Sequence, residues 1–154
     1  MPKIELRTAP EGSGTHYPPP HDGPCKQRRW RRLGDAAGLT QFGVSLYTLP
    51  PGTWSSQRHW HSHEDELVYV LEGALVLVTD GGEEALVAGE SAGFKAGVRD
   101  GHCLQNRSQK DAVFLVVGSR NDEDHGEYSD IDMMFTAGRY SGKGGYRHKD
   151  GTPY

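Results

Sequence analysis

Apolar and polar residues alternate most clearly from Phe42 to Tyr47. There Phe42, Val44 and Leu46 are separated by Gly43, Ser45 and Tyr47, the period of two expected of a strand with one buried face. Pro50-Pro51-Gly52 ends that run, and a polar stretch follows from Thr53 to Asp65. Leu67 to Leu71 and Ala74 to Thr79 then predict two strands joined by a tight reversal at Glu72-Gly73. Asp80-Gly81-Gly82 predicts a second hairpin turn, Glu83 to Ala88 a strand and Gly89-Glu90 another turn. Strands are expected again at Ser91 to Lys95, His102 to Asn106 and Ala112 to Val117. Turns about every 8–12 residues, with no amphipathic helix, predict an all-β sandwich or barrel.

Outside this core, residues 40–118, the pattern changes. Residues 1–39 contain Tyr17-Pro18-Pro19-Pro20 and Asp22-Gly23-Pro24, which disfavour a helix and predict an extended arm. Lys26 to Arg32 (KQRRWRR) fits an edge strand presenting Trp30, with Leu33-Gly34-Asp35 as a turn. Residues 119–154 turn acidic (NDEDHGE) and then Gly-rich, with a short strand expected at Ile131 to Phe135 and a second arm at the end. The strands at 67–71 and 74–79 are apolar on both faces, so one face needs a cover beyond the barrel core. A partner subunit supplies it in the reading favoured here, a homodimer; the alternative is that the two arms fold back over their own barrel.

Composition narrows the function class. The chain has 154 residues, 17 Lys or Arg against 21 Asp or Glu, and a net charge of -4, which argues against nucleic acid as a partner. No apolar run is long enough to span a membrane, and the amino terminus lacks the apolar core of an export signal. Two cysteines, Cys25 and Cys103, form no metal or redox pair spacing, so a reducing cytoplasm is expected, with Cys103 a packing residue. The RRWRR run could grip single-stranded nucleic acid, but a charged edge strand is the simpler reading.

The polar stretch carries the candidate chemistry, His59-Trp60-His61-Ser62-His63-Glu64-Asp65-Glu66. On a strand His59 and His61 share a face with Cα atoms roughly 6.7 Å apart, close enough for both imidazoles to meet one ion. Glu66 has the opposite parity and joins them only if the chain bends between Ser62 and Asp65; His102 is the candidate fourth ligand from a distant strand. His63 is a substitute ligand, a residue behind the ligands or at the entrance, or plain surface. Parity places Gln57 and Ser55 with His59, Val68 and Val70 with Glu66, and Leu104 and Asn106 with His102. Lys95, Arg99 and Arg107 are candidates to grip a carboxylate or phosphate, against a plain solvated rim, and Tyr47 is either a proton donor near the metal or, in the favoured reading, a core-packing residue with its hydroxyl at the rim.

These residues resemble the two motifs of the cupin superfamily. Gly52, His59, His61, Glu66 and Gly73 match the first motif; Lys95-Ala96-Gly97, His102 and Asn106 resemble the second, with Lys95 in place of a proline and longer gaps after Gly52 and Gly97. The resemblance covers about residues 40–118. It implies a double-stranded β-helix, the jelly-roll barrel, with His59, His61, Glu66 and His102 binding a divalent metal such as Mn, Fe, Co, Ni or Zn. Shorter bacterial members carry a sugar-phosphate-isomerase-like label that rests on fold analogy. The expected activity is Lewis-acid chemistry on a small sugar phosphate, keto acid or hydroxy acid, of isomerase, lyase or dioxygenase type. The alternatives are a small-molecule binding or sensing module without turnover and a metal-free structural dimer.

Overall fold

A computed structural model describes residues 3–154. The strands in chain order are β1 (Glu11–Ser13), β2 (Arg29–Arg32), β3 (Phe42–Leu49), β4 (Glu66–Glu72), β5 (Ala74–Thr79), β6 (Gly82–Val87), β7 (Ser91–Phe94), β8 (Cys103–Gln105), β9 (Ala112–Ser119), β10 (Gly126–Glu127), β11 (Met134–Phe135) and β12 (Tyr146–Arg147). They form a six-stranded sheet in the order β1-β2-β3-β9-β4-β7, a three-stranded sheet β6-β5-β8, and a small three-stranded sheet β10-β11-β12. Every pairing between named strands is antiparallel. This is the all-β, jelly-roll class. A short α-helix, Leu33–Ala36, stands where a turn was expected, and two 3-10 turns, Leu6–Thr8 and Gly23–Cys25, punctuate the amino-terminal segment. No helix among the described residues is long and apolar enough to cross a membrane.

The first two sheets close over a core of Leu49, Val68, Val70, Leu75, Leu77, Leu86, Leu104, Ala112 and Phe114. Gly73 makes the β4–β5 reversal possible: its φ is +79°, and a Cβ there would meet the Asp111 carbonyl at 3.0 Å. β3 inverts the expected facing. Tyr47 and Leu49 turn toward the core, while Phe42, Val44 and Leu46 lie on the other side and Phe42 is exposed. Leu46 sits opposite Leu115 and Leu115 opposite Tyr69, so β3, β9 and β4 share an outer apolar surface as well as an inner one.

The chain ends belong to the structure that surrounds the barrel mouth. β1 and β2 extend the large sheet, so the RRWRR segment is covered by β1 and is not the edge. A second apolar cluster joins both ends: Tyr17 and Cys25 bury against Tyr128 and Met133, with Trp54, Ile131, Phe135 and Tyr146 around them. At Gly126 a Cβ would sit 1.9 Å from the Trp60 carbonyl, so only glycine lets β10 run this close to the histidine segment. The outer face of β4 stays uncovered by these segments, with Leu67, Tyr69 and Leu71 exposed.

Candidate metal centre and its cavity

The segment holding His59 and His61 is not a regular strand. It is pinned by bridges: His59 pairs with His102 through both backbone hydrogen bonds and also with Tyr128. The chain then bends at Ser62 and His63, which reverses parity and lets Glu66, the first residue of β4, face the same space. Ring centroids of His59 lie 4.9 Å from His61 and 5.0 Å from His102. Glu66 Oε1 stands 3.4 Å from His102 Nε2. The four residues proposed from spacing therefore converge on one place.

Hydrogen bonds behind the imidazoles decide what they present. His59 Nδ1 donates to the Gln57 carbonyl at 2.9 Å, and His61 Nδ1 to Asp124 Oδ2 at 2.6 Å. Each ring is then left with its Nε2 lone pair pointing inward, and the two Nε2 atoms are 3.1 Å apart. Two acceptors at that distance are held together by a cation between or beside them, a proton or a metal ion. His102 adds a third ring, buried and stacked on Phe94 at 3.5 Å, with neither nitrogen making a hydrogen bond. An orphaned buried imidazole costs free energy unless something coordinates it. On these observations the residues present fit a divalent ion.

Burial and the neighbouring rings of His61 and His102 hold His59 well below the usual histidine range, so it stays neutral and able to ligate. Burial opposes the charge on His61 too, but the Asp124 hydrogen bond and the Glu66 charge together raise its pKa. For Glu66 burial is outweighed by the three histidines, led by His102, which bring it down to about 2. Glu66 is a carboxylate at any physiological pH.

A second set of donor atoms lies behind His61: one each from His61, Glu64 and Asp124, all within 4.8 Å of one another. Their lone pairs are largely committed. Asp124 also accepts from the His63 backbone at 2.9 Å and Ser62 Oγ at 3.3 Å, and Glu64 Oε1 accepts from Asn121 N at 2.9 Å and the Tyr140 hydroxyl at 2.7 Å. This set orients His61 from behind, whereas the four-residue cluster faces open space.

That space is a cavity of about 820 Å³, with His59, His61, Glu66 and His102 in its wall together with Tyr47, Ser55, Val68 and Leu104. Other residues singled out in the sequence lie elsewhere. Gln57 is buried, but its amide donates to the His21 carbonyl at 2.7 Å, away from the cavity. Asn106 is fully buried and structural, its amide bonded to the Leu49 and Lys110 carbonyls. Lys95 lines a smaller neighbouring cleft, Arg99 lies over the Trp60 ring at 5.0 Å, and Arg107 pairs with Glu83 on the surface. The His63 side chain is exposed and bonds Ser62 Oγ; its backbone, not its ring, supports Asp124.

The cations that do line the cavity, Arg28, Arg32 and Arg139, come from the chain ends, as do Tyr17, Trp30, Tyr128, Phe135 and Tyr146. No periodicity singles these out, because their partners are remote in sequence. Asp124 stood within an acidic run that reads as solvated surface, and Arg28 within a basic run that reads as an edge strand.

The Cupin domain family model matches residues 45–118. No curated protein gives a match. Among solved structures, a protein of Silicibacter pomeroyi DSS-3 described as a sugar phosphate isomerase from a cupin superfamily is 44% identical, with a TM-score of 0.93 over 99% of this chain and 96% of that one. A protein of Acidithiobacillus ferrooxidans with a provisional sugar phosphate isomerase name is 29% identical, with a TM-score of 0.74 over 80% of this chain and 78% of that one. A Thermotoga maritima protein described as a predicted oxalate decarboxylase is 21% identical, with a TM-score of 0.63 over 77% of this chain and 99% of that one, and shares the fold.

Proposed function

Because the chain belongs to the cupin superfamily, we propose that His59, His61, Glu66 and His102 hold one divalent ion in the cavity wall and that the site acts on a small oxygenated substrate, a sugar phosphate, keto acid or hydroxy acid. The observation that carries this reading is the pair of inward Nε2 lone pairs 3.1 Å apart, with the bond-free ring of His102 beside them. When bound, the ion supplies Lewis acidity to substrate oxygens. Three imidazoles and one carboxylate suit Mn, Fe, Co, Ni or Zn, with geometry and supply deciding among them.

The chain's own residues do the rest. Asp124 holds the Nδ1 proton of His61 and so keeps Nε2 free, and Gln57 does the same for His59 through its carbonyl. Tyr47 lines the cavity with its ring stacked on Phe114 at 5.5 Å, leaving its hydroxyl as the proton donor of this reading. The name borne by the 44% identical relative supports an isomerase-type reaction over a lyase or dioxygenase one. A second reading, a binding module without turnover, is favoured by one fact: the buried carboxylates Glu64 and Asp124 are already bonded, so neither is a free general base.

Elemental analysis of protein purified without an affinity tag or chelator, beside His102→Ala, tests the metal. Nearly one ion per chain in the parent and little in the variant is expected; no ion in either after reconstitution overturns the site. Turnover of a panel of sugar phosphates, keto acids and diols separates enzyme from binding module.

Two further parts of the reading concern the whole molecule. The exposed Leu67, Tyr69 and Leu71, continuous by register with Leu46 and Leu115, support a homodimer through this face. Tyr69→Arg should convert a sedimenting dimer to monomer, and a parent that sediments as a monomer at micromolar concentration removes the idea. The buried free thiols Cys25 and Cys103, the latter pushed up to about 11 by burial, suit a reducing, cytoplasmic setting.

A further inference from the structure

Arg28 is a part-buried cation that lines the cavity and has no carboxylate partner among the described residues. The other two cavity arginines differ: Arg32 lies 3.7 Å from Asp35 and Arg139 lies 3.9 Å from Glu64. Arg28 is nevertheless fixed. Its Nε donates to the Gly14 carbonyl at 2.8 Å, one Nη1 hydrogen goes to the Ser55 carbonyl, and its guanidinium sits 5.8 Å from the Tyr17 ring centre and 5.9 Å from that of Tyr47. A guanidinium carries five N–H donors in a planar fork. Two are used here, so the remaining donors, including both on Nη2, have no protein acceptor among the described residues.

A part-buried, immobilised cation with spare donors facing a cavity gains from an anion that completes it. Its rigidity also lowers the cost of binding one, since the side chain has already been ordered by its own chain. Ser55, whose carbonyl holds Arg28, lies four residues before His59, a reach of at most about 13 Å on an extended chain. One small molecule in the cavity can therefore touch both the histidine cluster and Arg28.

We propose that Arg28 receives the anionic end of the ligand, a phosphate or carboxylate, while the oxygens of the ligand's other end face the histidine cluster. Arg28 is thus the specificity-determining residue that separates charged from neutral polyols. The inference rests on the cavity reading above, in that the cavity is taken as the ligand site, but not on the metal itself. It also assigns a binding task to the amino-terminal segment, outside the residues matched by the family model.

The test is calorimetric binding of D-glucitol, D-glucitol 6-phosphate and D-gluconate to protein of measured metal content. The parent should favour at least one of the anions over D-glucitol by about 10- to 100-fold, the scale of a hydrogen-bonded charge pair, and which anion wins distinguishes phosphate from carboxylate. Arg28→Gln, which keeps an amide donor but no charge, should erase that preference while metal content is unchanged; Arg28→Lys should restore part of it. Arg107→Ala, a surface control, should keep it in full. If the variants fold poorly, the parent alone decides: its preference must shrink as salt rises from about 20 mM to about 500 mM. Equal binding of all three probes, binding of none, or an undiminished preference in Arg28→Gln overturns the proposal. Charge preference without metal would leave Arg28 standing and remove the metal reading; metal with no charge preference would do the reverse.

Discussion

The barrel core around Phe114 and the cluster formed by the two chain ends around Met133 are both fully buried at their centres, yet they are assembled differently. The first is made of alternate residues on paired strands, so each side chain's direction follows from its neighbour's. The second joins Tyr17 and Cys25 to Tyr128 and Met133 across most of the chain, with little regular structure to set the directions. Glu66 stands on a strand of the first framework with His59, His61 and His102 bridged beside it, whereas most of the remaining cavity wall, with Arg28, Arg32 and Arg139, comes from the chain ends. The difference suggests a division of labour in which the barrel holds the chemistry and the ends choose the ligand.

The sharpest way to break that comparison is to excavate each side. Phe114→Ala should destabilise the fold by about 3–5 kcal/mol and Met133→Ala by about 2–5 kcal/mol, as cavities in close-packed interiors do. If the ends are integral, chemical denaturation of both variants follows one shared transition by fluorescence and circular dichroism. A separate early transition in Met133→Ala would make the ends an appendage.

A smaller effect is expected at the join between the two regions. Asp124 comes from the carboxy-terminal segment but holds a barrel histidine, so Asp124→Asn should weaken metal binding by about 10- to 100-fold while leaving the fold intact. Competition with a chelator reads this directly. Unchanged affinity would mean that His61 does not need its hydrogen-bonded partner.

Acidification probes the same join through the histidines. Metal binding requires neutral rings, and His61, whose pKa is raised by Asp124 and Glu66 against its burial, takes up a proton before the depressed His59. Metal should therefore leave as pH falls below about 6, near the ordinary histidine value. Full metal content at about pH 4.5, well under that value, would exclude a histidine cage.

The smallest effect belongs to Arg58, which bridges Asp80 on the β5–β6 turn to Asp130 near the carboxy terminus. The Arg58 hydrogen bond holds the Asp130 carboxyl below its ordinary range. A depressed carboxylate contributes stability above its unfolded pKa and loses it as pH falls through the folded one, so the gain from this pair is present at neutral pH and fades below about pH 4. Because Asp130 is more than half exposed, Asp130→Asn should cost under about 1 kcal/mol, and less at high salt. A melting series against pH in parent and variant shows whether the two curves merge in acid.

Much of the barrel was legible because strand periodicity needs only local residues. The strands expected at 67–71 and 74–79 are β4 and β5 with a residue added at each end of the first. The facing of β3 was not legible, since Phe42, Val44 and Leu46 look like a buried set until Tyr47 and Leu49 compete for the same core. Among functional residues, spacing pointed to the four that the structure brings together, because two lie on one segment and share a direction. Asp124, Arg28 and Arg139 were out of reach of such arguments: each acts through a partner or a cavity wall defined only by tertiary packing. Lys95 and Arg99 show the converse, being near in sequence to His102 but outside the large cavity.

The pairing of β3 with β9 places Leu49 opposite Ala112, and every residue of the histidine cluster lies in the loop which that pairing closes. Closing so long a loop is an entropic barrier that must be crossed before its contacts repay it, which makes this topology a slow one to form. His59 and His61, two residues apart, are together from the start, whereas Glu66 and His102 arrive only as the strands zip. An ion captured weakly by the first pair would be gripped more tightly with each strand added. If the proposed ion binds, its supply during synthesis would draw the chain toward closure and so link metal availability to how much protein matures.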